Sequence, residues 1–393
     1  MPIELNHDLS VPFPRDAQAR QDFISSLRSY ILNDMAAMMK SDYETRIKPR
    51  ITEQTGQAPR TQDAVHEAMR TQDSFRFYSA IRVNAQEMVW RSVIPSIERD
   101  LPQLEDRINV LHQKAKGSLA LDPDLRVPRN VNGLDVHLMP GGYSADANAA
   151  AGAIYDNGLA VFSAGFMGKN FDDIGLSMSN YVRHRFPDFN PKAILDCGCT
   201  IGHNTLAWAR TFPKAQVTGI DVSASVLRYA HGRAESLGLA VDFRQMNATK
   251  LDCPDNSFDV VFSSMFLHEL PLKDIRAYFA EAHRVLRPGG LIVTMELPPN
   301  TALDPYDQFY LDWDCYYNRE PYYRAFRDQK PQDLVVAGGF DVKDFFEFTV
   351  PQYSFVPEPD FIAAVSRTGQ IDGNTGRLNA TMEWYGFACW KKK

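Results

Sequence analysis

From about Pro191 onward, short apolar runs alternate with stretches of helical periodicity, and this alternation constrains the fold of the 393-residue chain more than any other feature. The runs "AILDCG" (193–198), "AQVTGIDV" (215–222), "VDFRQM" (241–246), "FDVVFSS" (258–264) and "GLIVTMEL" (290–297) read as five strands, with helices predicted over 203–212, 224–237 and 273–286. Parallel strands need crossover connections, and helical crossovers cover both faces of the sheet. Two further runs, "FDVKDFFEFTV" (340–350) and "WYGFACW" (384–390), have no crossover helix between them and are expected to pair as an antiparallel edge. The expected fold class is α/β, a seven-strand mixed sheet of five parallel strands plus that edge.

The first third of the chain has a different composition. Gly56 is the only glycine before Gly117, and the other 22 lie from there onward. Phe23, Leu27, Tyr30, Ile31, Met35 and Met38 recur at helical spacing, Phe75 to Trp90 suggest another long helix, and Ile97, Leu101, Leu104, Ile108 and Leu111 continue the periodicity. An α-helical N-terminal domain is therefore expected over 1–130, a connector over 131–190 and the α/β domain over 191–393, with insertions at 301–338 and 351–380. The connector is loop-rich, with Pro140, Gly141, Gly142 and a small-residue stretch from Ala145 to Ala153.

Charge narrows the partners. Residues 1–116 carry 16 basic and 16 acidic side chains, so the net charge of −7 belongs to the remainder, against a partner held by its phosphates. No nucleic acid partner is expected. No window approaches 18 consecutive apolar residues, and Met1 to Arg20 lacks the pattern of a signal peptide, so no membrane span and a cytoplasmic location are expected. Five cysteines at irregular spacing fit free thiols.

The segment "ILDCGCTIGHNTLAWA" (194–209) sends a strand through a glycine turn into a helix, where backbone can approach a ligand and helix N–H groups lie unpaired. "VTGIDVS" then places Asp221 at the end of the next strand, where a carboxylate can accept both hydroxyls of a ribose. Ser223 is equally able to cap the following helix. Gly198 and Gly202 do not form the G-x-G-x-x-G register, which disfavours a dehydrogenase.

Taken in order, "ILDCGCTIG", "VTGIDVSASVLRYA", "VDFRQMNATKLDCPDNSFDVVFSSMFLHEL" and "EAHRVLRPGGLIVTMELP" resemble the successive motifs of class I S-adenosylmethionine-dependent methyltransferases, and especially the ubiquinone and menaquinone type of small-molecule enzyme. The resemblance covers about 160–300 closely and implies a Rossmann-like sheet with S-adenosyl-L-methionine as cofactor. It implies that Asp196, Gly198, Cys199 and Gly202 line the methionine half, that Asp221 holds the ribose, that Val222 lies against the adenine, and that Asn247 and Ala248 meet its edge. Ser263 joins the implied cofactor-binding positions. The chain departs from the pattern at Asn247, where Asp is more usual, and at Thr200, where a third glycine is usual. An Asn oxygen is still expected to accept from an exocyclic amine.

Methyl transfer demands proximity, alignment and sometimes a base. His268 in "MFLHEL", just beyond the fourth strand, is the candidate catalytic base, with loop orientation as its structural alternative; Glu269 is read as equally able to be solvated. No metal site is expected: Cys197, Cys199 and Cys253 lack zinc-site spacing, and Asp312 and Asp314 of "DWD" read as a surface feature or a helix start. The aromatic density of 306–328 suggests a substrate pocket including Tyr310, Trp313 and Tyr317, or else a face packed on the N-terminal helices. Tyr143 and Phe166, in the segment 141–173 before the core, are candidate contacts from a covering loop, and 351–380 could also overhang the site. Residues 1–116 could form a lid, a separate binding module or a homodimer contact. The expected function is methylation of a small aromatic or amphipathic molecule; the rivals are a cofactor-binding module without transferase activity and a protein methyltransferase.

Overall fold

The computed structural model describes residues 7–143, 148–367, 369–377 and 382–393. Parts of the expected small-residue stretch and of the 351–380 insertion lie outside the described residues. The strands are β1 (Ser118–Ala120), β2 (Ala193–Cys197), β3 (Gln216–Asp221), β4 (Asp242–Gln245), β5 (Phe258–Ser264), β6 (Leu286–Glu296), β7 (Phe345–Pro351) and β8 (Glu383–Trp390). They form one sheet in the order β1-β4-β3-β2-β5-β6-β8-β7, in which β8 runs antiparallel to both neighbours and the other pairs are parallel. The seven expected strands are all present. The eighth, β1, is three residues long and pairs with β4 in a region read as loop, because so short an edge strand has no period to read.

Helices His203–Thr211, Ala224–Ser236 and Leu272–Val285 supply the crossovers. The chain proceeds from β2 outward to β3 and β4, then returns to β5 on the other side of β2, so β2 and β5 flank a switch point. Open α/β sheets bind ligands at the carboxyl ends of strands beside such a point.

The helical region departs from its expected form in two ways. Residues Asp73–Gln113 make one continuous helix of 41 residues through Pro95 and Pro102. The prolines do not divide it because Val89, Trp90, Val93, Ile97, Leu104 and Ile108 are all buried in one core, whose packing outweighs two lost backbone bonds. In the first hairpin arm, Ile24, Ile31, Met39, Tyr43 and Ile47 are buried, whereas Phe23, Tyr30 and Met38, read as part of the apolar face, are exposed. Two π-helical turns, Ile31–Met35 and Tyr43–Ile47, change the helical period there.

The helices share their core with the sheet. Val89, Trp90 and Ile108 belong to the same buried cluster as Ile194, Val217, Val226 and Val293. Gly158 of helix Ala150–Phe162 lets the Trp90 ring approach so closely that a Cβ would stand 2.3 Å from it. At the centre of this junction the fully buried Asp156 carboxylate accepts hydrogen bonds from His7 Nε2 at 2.8 Å, His203 Nε2 at 2.9 Å and the Tyr229 hydroxyl at 2.8 Å. Burial opposes its charge, but the hydrogen bonds from His203 and His7 and the Arg233 guanidinium prevail and hold it well below the usual carboxylate range. Among the described residues no helix is long and apolar enough to cross a membrane.

Removing the charge while keeping the shape of Asp156 should leave three donors poorly matched. Asp156→Asn is expected to lower stability by about 2–4 kcal/mol, read as a fall in denaturation midpoint at neutral pH; an unchanged midpoint would show the cluster to be dispensable.

Candidate active site

A cavity of about 310 Å³ opens at the carboxyl ends of β2, β3, β4, β5 and β6, with a roof from the helical region and the 128–171 segment. Its first half is built by the turns after β2, β3 and β4. Asp196, Gly198, Cys199, Thr200, Asp221, Val222, Met246, Asn247 and Ala248 all line it. Gly198 and Gly202 have φ of 74° and 76°, a region that favours glycine. Thr200 adopts φ 49°, which a β-branched residue rarely does. Its backbone N–H donates to Asp221 Oδ2 at 3.0 Å while Ser223 N–H donates to Oδ1 at 2.9 Å. These bonds join the two turns and hold the Thr200 backbone in place.

Asp221 does not cap the following helix: the Ser223 hydroxyl receives the Val226 N–H, which leaves Asp221 facing the cavity. Burial pushes its carboxyl up, against the Ser223, Thr200 and Val222 N–H groups. Asn247 departs from the expected role. Its Oδ1 already accepts from Thr249 N at 2.9 Å and Thr249 Oγ1 at 2.8 Å, so the amide nitrogen is the edge left to a ligand. Gly202 is set back, with His203 at the wall in its place. Ser263 lies away from the cavity: its hydroxyl donates to Thr294 at 3.4 Å and accepts from Tyr278 at 3.1 Å inside the sheet core, while Ser264 reaches the wall. Strand alternation explains the exchange, since neighbouring positions face opposite sides.

The second half holds a group of titratable side chains. The β6 terminus presents Glu296, whose Oε1 accepts the N–H groups of Phe266 at 2.8 Å and Leu267 at 2.6 Å, and whose Oε2 accepts His268 Nδ1–H at 2.7 Å. His268 therefore turns its Nε2 edge toward Glu269 Oε1 and Glu320 Oε2, each 3.9 Å away. His137 Nδ1 lies 2.9 Å from Glu320 Oε1, and its Nε2 lies 3.7 Å from Glu269 Oε1. Asn318 donates to Glu320 Oε1 at 2.6 Å, and Arg82 pairs with Asp314 at 3.0 Å beside them.

The fields here are mutual. Burial opposes charge on His268, but Glu296 and then Glu269 and Glu320 outweigh it and lift the imidazole to about 10. Burial, opposed by His268 and His137, pushes Glu269 up to about 7. Burial likewise opposes ionisation of Glu320, yet His137, His268 and the Asn318 amide hold it below its ordinary value.

Several expectations change with this geometry. Glu269, read as equally able to be solvated, lines the cavity beside His268, both in the 3-10 turn Leu267–Glu269 at the strand ends. Asp314 of "DWD" is no surface feature; it lines the cavity, while Asp312 is buried against Arg327 at 2.9 Å. Sequence reasoning expected no metal site, and passed over His137, Glu296, Asn318 and Glu320; "NRE" at 318–320 and "DVHLMP" at 135–140 were the available signals.

The aromatic insertion divides its face. Tyr310, Leu311, Asp314 and Tyr323 line the cavity. Trp313 and Tyr317 stand behind them: Trp313 Nε1 donates to Ser79 Oγ at 3.0 Å, Arg82 stacks 3.8 Å from its ring, and Tyr317 packs on it at 5.2 Å. Phe75 meets Phe309 at 5.2 Å, and the Tyr78 hydroxyl donates to that of Tyr310 at 3.0 Å, so most of the insertion packs on the N-terminal helices. Tyr143 reaches the cavity, whereas Phe166 does not; Met167 takes that place, and the Phe166 carbonyl accepts from Gln352. Arg28, Arg82 and Trp90 complete the roof. All five cysteines are free thiols.

Burial, with Asp221 adding and Thr205 opposing, pushes Asp196 up to about 7. A carboxyl raised on folding stabilises the native state below its unfolded value, and that contribution is lost as pH rises through about 7. Asp196→Asn is therefore expected to stabilise the protein relative to wild type at pH ~8, by about 1–3 kcal/mol, and to lose that advantage near pH ~4. Thermal denaturation across this range checks it, and a pH-independent difference would contradict it.

Comparison with known proteins agrees with the strand ends. Residues 194–290, from β2 into β6, match the family model described as a methyltransferase domain. A demethylmenaquinone methyltransferase of Thermus thermophilus is 34% identical over 129 residues, 33% of this chain and 56% of that protein. A malonyl-[acyl-carrier protein] O-methyltransferase of Hahella chejuensis is 31% identical over 160 residues, 41% of this chain and 51% of that protein. A Haemonchus contortus phosphoethanolamine N-methyltransferase 2, solved with S-adenosylhomocysteine, is 19% identical with a TM-score of 0.41, covering 61% of this chain and 58% of that one. The chain spans about half the length of the relatives it matches. Residues 194–290 thus match a methyltransferase domain, preceded in this chain by helices and followed by an aromatic insertion.

Proposed function

We propose that this protein transfers a methyl group from S-adenosylmethionine to a small molecule with an apolar body and a polar end. The observation that carries the proposal is one continuous cavity in which the Asp196–Asp221–Asn247 wall and the His268–Glu269–Glu320 cluster face the same space. The first wall fits the cofactor by its chemistry: a buried carboxylate for a diol at Asp221, an apolar flank at Val222 and Met246, and an amide at Asn247 for a heteroaromatic edge. When bound, the cofactor supplies a sulfonium-activated methyl group.

The chain's own residues then have three tasks. Thr200 and Asp221 hold the two turns in register, so that a nucleoside is placed in one way. Tyr143, Tyr155, Phe162 and Trp90 roof the cavity and exclude water from the reacting atoms. His268, fixed by Glu296 and held protonated near neutrality, addresses the acceptor atom with its Nε2–H edge and orients it by a charged hydrogen bond.

The polar end of the acceptor has a partner in Arg28. Its guanidinium is buried, donates to the Phe162 carbonyl at 2.9 Å and to Gln86, and has no carboxylate ion-pair partner among the described residues. Arg377, stacked 4.1 Å from the Tyr310 ring, is a second cation lining the cavity. An acid or phosphate at one end of the acceptor satisfies both. A buried Arg28 and a half-buried Arg377 favour a small molecule over a peptide backbone.

Incubation with S-adenosylmethionine carrying a labelled methyl group and fractionated cell metabolites, followed by mass spectrometry, tests the proposal; label in a small acidic product supports it and label in protein alone overturns it. Asp221→Ala should weaken S-adenosylmethionine binding by about 1.5–3 kcal/mol in calorimetry, and an unchanged dissociation constant would remove the cofactor from this wall. His268→Ala should lower turnover by about 10²-fold with cofactor affinity retained, whereas near-normal turnover would reduce the ring to a structural part.

A further inference from the structure

Three buried or half-buried carboxylates, Glu269, Glu296 and Glu320, meet at the acceptor end of the cavity, and none has a Lys or Arg ion-pair partner among the described residues. The nearby guanidinium of Arg82 is engaged by Asp314 at 3.0 Å. The charged neighbours recorded for the three are two imidazoles, His137 and His268.

The atoms are directed inward. Glu296 takes the Nδ1–H of His268 at 2.7 Å, which leaves Nε2 as the ring atom aimed at the cavity from a side chain only 2% exposed, its proton the one that a bound ion displaces. This is the carboxylate–histidine arrangement by which proteins orient a metal-binding imidazole. Facing Nε2, Glu269 Oε1 and Glu320 Oε2 stand at 3.9 Å, too far for hydrogen bonds. One donor atom from each of His268, Glu269 and Glu320 lies within 4.8 Å of the other two. Metal–nitrogen and metal–oxygen distances of about 2.0–2.2 Å place neighbouring ligand atoms about 3–4 Å apart, so small side-chain adjustments bring the three to one ion. His137 Nε2 lies beside the three, 3.7 Å from Glu269 Oε1.

We propose that His268, Glu269 and Glu320, with His137 beside them, bind a divalent first-row cation of the manganese, iron or zinc kind. Imidazole with carboxylate ligands suits these ions better than a soft ion that prefers thiolates. Resting on the methyl-transfer reading, the assignment narrows the acceptor to one that presents an oxygen anion, such as an enolate or phenolate, to the ion as a further ligand. His268 then serves as a ligand through Nε2, and Glu296 is a positioning residue that acts through it.

The test uses the full chain without an affinity tag, stripped with EDTA and dialysed, and titrated with MnCl₂ while the electron paramagnetic resonance of free Mn²⁺ is followed. One saturable site is expected, with echo modulation from a directly coordinated imidazole nitrogen. Glu320→Gln and His268→Gln should each weaken Mn²⁺ binding by about tenfold or more, with the circular dichroism spectrum and S-adenosylmethionine affinity unchanged. Absence of saturable binding of Mn²⁺ or Co²⁺ up to about 1 mM, binding without nitrogen modulation, or equal binding in both variants overturns the cation site. The nitrogen signal is read on the wild-type chain, so the test survives a variant that fails to fold. S-adenosylmethionine binding without metal binding sinks this inference alone; metal binding without S-adenosylmethionine binding sinks the methyl-transfer reading and leaves the cation site standing.

Discussion

The buried carboxylate of Asp156 is the constraint on which the arrangement of helices and sheet depends. It draws His7 from the N-terminal segment, His203 from the helix after the glycine turn and Tyr229 from the next crossover helix onto one charge. A charge with no water around it tolerates few geometries, so these donors fix where the helix Ala150–Phe162 lies. That helix carries Tyr155, Leu159 and Phe162 over the cavity, and His203 forms part of its wall. Fold stability and the roof of the site thus rest on the same group.

A second carboxylate organises the opposite end. Glu296 terminates β6 and takes two backbone N–H groups and an imidazole from the turn after β5, a turn that begins with Met265 at φ 48°. Parallel pairing of β5 with β6 brings the two strand ends side by side, and the carboxylate ties down a backbone that departs from the preferred regions. Thr200 is the counterpart in the cofactor half, held at positive φ by Asp221 from the neighbouring strand. Each half of the cavity therefore has a strained residue after one strand secured by a carboxylate from the next.

The sheet was legible in the sequence because buried parallel strands leave continuous apolar runs; the seven expected strands occur within a few residues of their expected ends. That Gly198, Asp221 and Asn247 would face one space was legible for a related reason, since they stand at or just beyond strand ends. Ser263 was misplaced by one position, and in a strand one position is the difference between the core and the cavity. The acceptor cluster could not be read in the same way. His137, His268, Glu296 and Glu320 come from four separated segments: pairing of β5 with β6 joins His268 to Glu296, while Glu320 of the 306–328 insertion and His137 arrive from outside the sheet. Glu269 misled because it was read as a helix residue able to be solvated, whereas it lies in the short turn Leu267–Glu269 at the cavity wall. The long helix Asp73–Gln113 was obscured by Pro95 and Pro102, whose local preference is overridden by burial along one face.

The central claim is that one cavity has a cofactor end at Asp221 and an acceptor end at His268. A crystal structure of the full chain with S-adenosylhomocysteine tests it most directly. The account predicts the ribose hydroxyls on the Asp221 carboxylate, the adenine between Val222 and Asn247, and the sulfur directed toward His268 and Glu269. A nucleoside bound elsewhere, or a sulfur that points away from that cluster, would contradict it.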